Sequence, residues 1–473
     1  MLARATMGLF ETAKLFLLAF HVLLAPTAFV HVLLNKREPY AAALWIVIIG
    51  VPVIGPLFYW AFGINRIARK ARRRLRQGSL KDAGPIQVPA ELEPLRRVGD
   101  AVARYPLVNG NKVELLVNGD QTYPAMLAAI QEARHSLGIA SYIFDDDDVA
   151  ARFETALRDA ARRGVQVRVL VDGIGASGMG PRLRRSMMAT GGRVVSFWPQ
   201  GRFLKHPGLN LRNHRKILVA DGRVGFTGGL NVSARHCTPE GDRHPRSSDC
   251  HFRLEGPVVA HLSATFAEDW ELVTGEVLKG PNWFPGLKPA GDVVARGISS
   301  GPDRTLGRLH SLLLGALRTA RARVDLMTPY FIPDKAILEA LRTASRSGVR
   351  VRLLLPRRAD HRFMSWAARA YLWELVQAGV EVYEILPEFV HAKLVLVDGQ
   401  WVMFGSSNLD ARSFRLNFEF NVEAYSPALA RRVQEYVNHY RGQSDRVTLR
   451  SLKDEPVVVR LRNAFVKLFS PYL

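Results

Sequence analysis

Apolar positions follow two rhythms along this chain. Near the start, residues 15–34 and 40–62 contain no Lys, Arg, Asp or Glu. About twenty such residues span the hydrocarbon core of a bilayer. Pro26, Pro52 and Pro56 are tolerated in membrane helices, and Trp45, Tyr59 and Trp60 lie near the ends, where aromatic rings anchor. No Ala-x-Ala cleavage site precedes Asn35, and a second apolar run follows at once, so a transmembrane two-helix hairpin is expected rather than a cleaved signal peptide. Beyond residue 100 the rhythm changes to short strands alternating with helical spacing. Strands are predicted at 113–117, 137–144 and 165–171, with helices at 125–135 and 150–163 between them. The order returns later, with helices at 309–321 and 335–347 and strands at 323–327 and 349–355.

The two stretches pair landmark by landmark. Tyr142 matches Tyr330, Gly164 matches Gly348 and His214 matches His391, at separations of 188, 184 and 177 residues. Alternating strands and helices imply α/β layers. A tandem duplication implies two α/β domains related by a pseudo-twofold axis. The expected organisation is a hairpin over 1–65, a basic juxtamembrane segment and linker over 66–105, a first domain over 106–290, and a second over 291–473 that includes a C-terminal tail.

Charge adds a partner class and an orientation. Lys and Arg number 65 against 43 Asp and Glu, a net charge of +22. That balance favours a polyanionic partner, nucleic acid or an anionic membrane. Arg66, Arg69, Lys70, Arg72, Arg73, Arg74 and Arg76 follow the second apolar run, whereas the loop between the runs has only Lys36, Arg37 and Glu38. The positive-inside rule places the basic side, and the domains after it, in the cytoplasm. Anionic headgroups would attract this run by about 1 kcal/mol per charge. The two cysteines, Cys237 and Cys250, make no disulfide framework, and with His236 and His251 they match no standard zinc spacing. No metal or other cofactor is expected. Asp145–Asp148 fits a solvated loop at a strand end better than a metal loop.

One motif occurs twice. His214-Arg-Lys216-Ile-Leu-Val-Ala-Asp221 leads to Gly228-Gly229-Leu-Asn231, and His391-Ala-Lys393-Leu-Val-Leu-Val-Asp398 leads to Gly405-Ser406-Ser-Asn408. Both fit H-x-K-x4-D-x6-G-[GS]-x-N. Apolar fillers make each copy a buried strand. Alternation puts His and Lys on one face and the Asp, at an odd offset, on the other. Asp-Gly is a hairpin signal. Each copy is therefore a β-hairpin aiming an imidazole, an ammonium and a carboxamide at one place, with the Asp holding the turn. Downstream, Asp249 and Glu419 each stand eight residues before a proline, Pro257 and Pro427. Such a carboxylate beside an imidazole would fix its tautomer and stabilise its cation.

Two imidazoles, two ammoniums and two carboxamides suit a phosphate diester. A neutral imidazole can attack phosphorus while an imidazolium protonates the leaving alkoxide. Lys216, Lys393, Asn231 and Asn408 would hold the non-bridging oxygens as their charge builds, with no metal required. A hydroxyl contact to phosphate is available only from Ser406, since the first copy has Gly229.

The duplicated motif resembles the phospholipase D superfamily over roughly residues 110–440. A narrower resemblance is to bacterial cardiolipin synthases. It rests on Asn210-Leu-Arg-Asn-His214-Arg-Lys-Ile, on Thr328-Pro-Tyr-Phe-Ile-Pro-Asp334, and on Gly405-Ser-Ser-Asn-Leu-Asp-Ala-Arg-Ser-Phe-Arg-Leu-Asn-Phe-Glu419. Arg37-Glu-Pro before the second apolar run and Trp60-Ala-Phe-Gly after it extend the likeness. It implies two phospholipase-D-like domains with one shared site and a catalytic set of His214, Lys216, Asp221, His391, Lys393 and Asp398, with His214 the nucleophile. It also implies phosphatidylglycerol as substrate, cardiolipin and glycerol as products, and the bacterial cell membrane as location. The same intermediate attacked by water would give phosphatidic acid, and the motifs do not separate transfer from hydrolysis. A nuclease is disfavoured by the apolar hairpin and the lack of a single-strand stacking platform. The amphipathic tail over 457–469 fits packing on the domain and fits lying on a membrane surface; both stay open.

Overall fold

The computed structural model describes residues 18–19, 21–34, 39–60, 86–173, 175, 180–197, 211–302, 307–386 and 389–470. The basic run over 66–76 lies outside them, as does the expected linker up to residue 85. The rest of that linker is not loose chain: Glu93–Val102 is a helix, and Leu92 and Leu95 pack into a core, because its apolar residues recur at helical spacing.

Among the described residues, one sixteen-stranded sheet runs through both halves. At its centre Val108–Val117 pairs antiparallel with Val293–Ser300. Outward on one side come Cys250–Glu255, Val224–Gly228, Ile217–Ala220, Ser136–Ser141, Gln166–Asp172 and Arg193–Phe197. Outward on the other come Asn417–Tyr425, Trp401–Gly405, Leu394–Val397, Arg323–Met327, Arg350–Pro356 and Glu381–Ile385, with Ser444–Arg446 at the edge. The first six strands of the two series match position for position. In each, the inner three are antiparallel and the next three run parallel to one another, and Ser444–Arg446 adds an antiparallel edge to the second. The pseudo-twofold relation expected from the landmarks therefore acts through the central pair.

The helices form where capping and apolar spacing agree. Asp148–Arg162 starts at Asp147, whose carboxylate accepts the Ala150 N–H at 2.9 Å. It buries Val149, Phe153, Ala156, Leu157 and Ala160 along one face, and Gly164, at φ +88°, ends the turn. Its counterpart Lys335–Arg346 starts at Asp334, buries Ile337, Leu338, Leu341 and Ala344, and is followed by Gly348 at φ +92°. The acidic run is thereby accounted for in part: Asp147 also takes the Ala234 N–H at 2.6 Å, and Asp145 accepts the Ser233 hydroxyl at 2.5 Å.

Each outer half has its own core, and a third core crosses the join. There Phe252 stacks on Phe404 with centroids 3.6 Å apart, beside buried Phe418 and Phe420. The central pair is therefore glued on one face by aromatic rings from both halves.

The N-terminal reading needs a correction. Residues 21–34 are helical, but the second run is not one helix. It forms Pro39–Ile49, a turn, and Ile54–Phe58. Pro52 has no N–H to donate and Val53 sits at φ +63°, so the helix cannot run through. Among the described residues no helix is long and apolar enough to cross a membrane. The two runs still pack together, through Ala28 and Val32 against Trp45, Ile49 and Tyr59.

Candidate active site

The site forms where the halves exchange backbone partners. Arg212–Asn213, just before the first motif, pairs in parallel with Asn417–Phe418 of the other half. The His214 N–H donates to the Phe418 carbonyl at 2.9 Å. Symmetrically, the His391 N–H donates to the Ser248 carbonyl at 2.7 Å. Each acceptor is one residue before a carboxylate. The pairing of imidazole and carboxylate is therefore crossed between the halves. His214 Nδ1 lies 3.0 Å from both carboxylate oxygens of Glu419, and His391 Nδ1 lies 2.8 Å from Asp249 Oδ2. With Nδ1 engaged, Nε2 is the free reacting atom on each ring.

The lysines bind back to the same strands. Lys216 Nζ donates to the His214 carbonyl at 2.8 Å, and Lys393 Nζ donates to that of His391. Both are almost fully buried. Burial, opposed by Glu419 and then reinforced by Lys393, brings the Lys216 ammonium down to about 7. Burial also brings Lys393 down to about 8, against the pull of Asp249 and Glu419. Desolvation lowers His214, while the Glu419 carboxylate works against it. His391 is held well below the usual histidine value by burial, then by Lys393 and Lys216. Burial would raise Glu419, but His214 and Lys216 keep it below the ordinary carboxylate value. Each imidazole thus feels both lysines, so the two motifs share one electrostatic site.

Asn231 and Asn408 follow the hairpins, each 5 % exposed. The Asn231 side-chain oxygen accepts the Ile143 N–H at 3.1 Å. Asn408 Oδ1 has no hydrogen-bond partner among the described residues.

Ser406 is not placed as expected, whereas the two motif aspartates hold the turns as their strand face predicts. The Ser406 hydroxyl, anticipated at a phosphate, is fully buried and donates to Glu419 Oε2 at 2.5 Å while accepting the Phe420 N–H at 3.0 Å. It holds the carboxylate that holds His214. The counterpart Gly229 has no room for a side chain, since a Cβ there would lie 2.2 Å from Asp249 Oδ1. The Gly/Ser difference follows from the carboxylates: Asp249 fills the space beside Gly229, whereas Glu419 reaches a hydroxyl. Asp221 and Asp398 are engaged by backbone N–H groups instead of by the imidazoles or lysines. Asp221 accepts the N–H groups of Arg134, His135 and Ser136 at 2.7–2.9 Å. Asp398 accepts those of Arg321, Ala322 and Arg323 at 2.7–2.8 Å. Both sit in the left-handed region, at φ +52° and +50°. They tie the hairpin turn to the end of the preceding helix.

Sequence reasoning missed a second layer. Tyr142 meets His214 edge-on with centroids 5.0 Å apart, and Tyr330 meets His391 likewise at 6.3 Å. Arg215 donates to Asp269, to the Ser299 hydroxyl and to the Glu419 carbonyl. Arg212 shares a strand face with His214 by alternation. Arg412, on the short helix Ala411–Arg415, is drawn below the usual guanidinium value by burial and then by Arg212. The landmark tyrosines carried the only signal in the sequence for this layer.

A family model described as cardiolipin synthase, PLD-like domain, matches residues 126–270 and 313–441, and so spans both halves. The chain belongs to the cardiolipin synthase family of phospholipase-D-like proteins. A second model, described as a phospholipase D-nuclease N-terminal region, matches residues 23–63. Similar relatives include a cardiolipin synthase of Alkalihalophilus pseudofirmus, 33 % identical over 93 % of this chain and 90 % of that one. A cardiolipin synthase A of Pseudomonas putida is 32 % identical over 97 % of this chain and 98 % of its own. Another from that species is 36 % identical over 79 % and 77 %. Among solved structures, a phosphatidylserine synthase of Haemophilus influenzae shares the fold, with a TM-score of 0.63 at 14 % identity over 80 % of this chain and all of the other. The family's two repeated PLD-like domains are thus the two mirrored series of the sheet.

Proposed function

We propose that this protein makes cardiolipin and glycerol from two phosphatidylglycerol molecules, through a phosphohistidine intermediate. The observation that carries the mechanism is the crossed pair of Nδ1–carboxylate contacts, which leaves two Nε2 atoms for one substrate.

In the first step the His214 Nε2 lone pair forms a bond to phosphorus, and the bond from phosphorus to the glycerol headgroup oxygen breaks. His391, as imidazolium, gives its Nε2 proton to that oxygen, and glycerol leaves. In the second step neutral His391 takes the proton from a hydroxyl of the second phosphatidylglycerol. That oxygen attacks phosphorus, the P–N bond breaks, and cardiolipin is released. Burial, and then the two lysines, oppose a proton on His391. A bound phosphodiester anion offsets the lysines' field and so favours the protonated ring when substrate arrives. Lys216 and Lys393 hold the non-bridging oxygens, with the carboxamide N–H groups of Asn231 and Asn408 as further donors. Glu419 and Asp249 position the rings and stabilise their cations, and Ser406 positions Glu419. Asp221 and Asp398 hold the hairpins.

The N-terminal segment is the membrane attachment in this reading. Its support is the matched N-terminal family region at 23–63 and two charge-free apolar runs. Exposed Leu23, Leu34 and Val47 suit a lipid environment. The basic run after it sets the cytoplasmic side. Domain boundaries at 106–290 and 291–473 accord with the central strand pair.

The test is incubation of the full chain with phosphatidylglycerol alone, with lipids resolved by mass spectrometry, beside His214→Ala and His391→Ala. Cardiolipin and glycerol are expected from the wild type only. Phosphatidic acid alone would make the protein a hydrolase, and product from His214→Ala would remove it as nucleophile.

A further inference from the structure

The C-terminal helix Val457–Lys467 is packed the unexpected way round. It buries Asn463 and Val466 against the domain, with Ser470 just beyond. Its large apolar residues face out: Val457 is 59 % exposed, Val458 76 %, Leu461 65 %, Phe465 61 % and Leu468 64 %. At the helical angle per residue these five fall within an arc of about 100°. Arg460 and Arg462 stand on either side of that arc, and the helix holds no Asp or Glu. A water-facing helix would present the opposite face.

The helix is firmly seated, so its exposed stripe is not a matter of loose packing. Arg462 stacks over Trp366 at 4.2 Å, and Lys467 lies over Tyr371 at 4.1 Å and 3.3 Å from Glu374. All three partners belong to Arg362–Gln377, whose own Phe363 is 60 % exposed. Along Arg362–Gln377 lies a groove of about 780 Å³ bordered by Pro329, Arg357, Arg358, Arg362 and Glu384, to which the C-terminal helix contributes Arg462. Pro329 adjoins Tyr330, whose ring faces His391. Arg462, at the edge of the stripe, also borders this groove.

We infer that the helix Val457–Lys467 is an interfacial docking element that lays its apolar stripe into the headgroup region of an anionic bilayer, bringing the arginine groove beside it to the lipid surface. The occupant is a lipid surface because cations flank the stripe and the chain carries +22 overall. The inference rests on the phosphatidylglycerol reading for its purpose, though not for its geometry.

The test uses the full chain in vesicles of phosphatidylcholine with or without phosphatidylglycerol. A Cys237→Ala background carries an environment-sensitive nitrobenzoxadiazole label at Phe465→Cys or, as control, at Glu435→Cys on an exposed polar helix face. The label at 465 should shift to the blue and brighten several-fold with anionic vesicles, and the control should not. No lipid response at 465 overturns the inference. A shift that follows protein concentration without lipid assigns the stripe to a second copy and overturns it too. Independently, Leu461→Glu with Phe465→Glu should raise KM about tenfold on vesicular phosphatidylglycerol and leave kcat/KM on a short-chain monomeric analogue within about twofold. Equal loss on both substrates, or none on either, rejects the docking role. The label reports without turnover, so a chain that inserts but makes no cardiolipin would refute only the proposed function.

Discussion

Replacing Glu419 with Gln removes one charge and almost no volume. The carboxylate is fully buried, and its two oxygens lie 3.0 Å from His214 Nδ1. At an effective dielectric near 20, opposite unit charges about 4 Å apart attract by about 4 kcal/mol. Each 1.4 kcal/mol or so is a factor of ten in rate. The full electrostatic contribution is therefore about 10³-fold in any step where His214 carries positive charge, as it does in a phosphohistidine. A carboxamide oxygen can still accept the Nδ1 proton, which restores part of this. The expected fall in kcat is about 10²- to 10³-fold.

The assay is cardiolipin formation under saturating phosphatidylglycerol, with thermal unfolding measured alongside. Ser406 and Asn417 also donate to this carboxylate, at 2.5 and 3.2 Å, and a glutamine can satisfy only part of that set. Some loss of Tm is expected, so kcat is taken at a temperature where the variant is folded. Because the contact crosses the halves, Asp249→Asn should act on His391 instead. Combining Glu419→Gln with His214→Ala should cost little beyond His214→Ala alone. A kcat within about threefold of wild type for Glu419→Gln would refute the orienting role. So would full additivity with His214→Ala.

Asp221→Ala and Asp398→Ala each strip three backbone N–H groups of their acceptor, so unfolding free energy should fall by about 1–3 kcal/mol. Folded protein should keep kcat within about threefold; a loss of several hundredfold would return the aspartates to the chemistry. Gly229→Ala should displace Asp249 and cost activity severely, because its Cβ would lie 2.2 Å from a carboxylate oxygen. Ser406→Ala, which removes one hydrogen bond to Glu419, should cost only about tenfold in kcat, and the reverse order would refute the packing argument. The lysines at about 7 and about 8 give opposite signs in two assays. As pH rises through those values the free enzyme loses the cations that bind phosphate, so kcat/KM on a monomeric substrate should fall from near pH 7 as Lys216 discharges, and further near 8 as Lys393 follows. The unfolded chain keeps both protons to about pH 10.4. These two groups therefore make the folded state more stable as pH rises from 7 towards 10, which denaturant titration measures. A kcat/KM that climbs from pH 7 to 9 would remove the lysines from substrate binding.

Much of the site was legible because a duplicated motif fixes spacing, and spacing fixes faces. His214 and Lys216 share a strand face for the same reason that Asp221 does not. The helix caps at Asp147 and Asp334 were not read in advance: the run Asp145–Asp148 was expected as a solvated loop, and Asp147 instead caps a helix. Nor was the crossed pairing. It depends on Phe418 and Ser248 offering carbonyls to the opposite half, a contact 204 residues long in one case, and no local pattern encodes it. The role of Ser406 was lost for the same reason, since a hydroxyl in a small-residue turn has no address until Glu419 arrives from its own strand. The second apolar run misled through composition: hydropathy counts residues and ignores that Pro52 and Val53 break the helix between them.

The crossing carries a consequence for how the halves evolved to work together. Each half supplies one imidazole and the carboxylate for the other's imidazole, so neither has a complete His–carboxylate pair by itself. The central strand pair and the Phe252–Phe404 stack then do more than join two domains. They set the distance between a ring and its partner to hydrogen-bond precision. A slip at the join would leave two lysines and two imidazoles buried with misplaced counter-charges, which is costly on both sides. Fold stability and catalytic geometry therefore depend on the same contacts at this seam. By the same argument, substitutions at Phe252 or Phe404 should lower kcat more than equally destabilising ones in the outer cores.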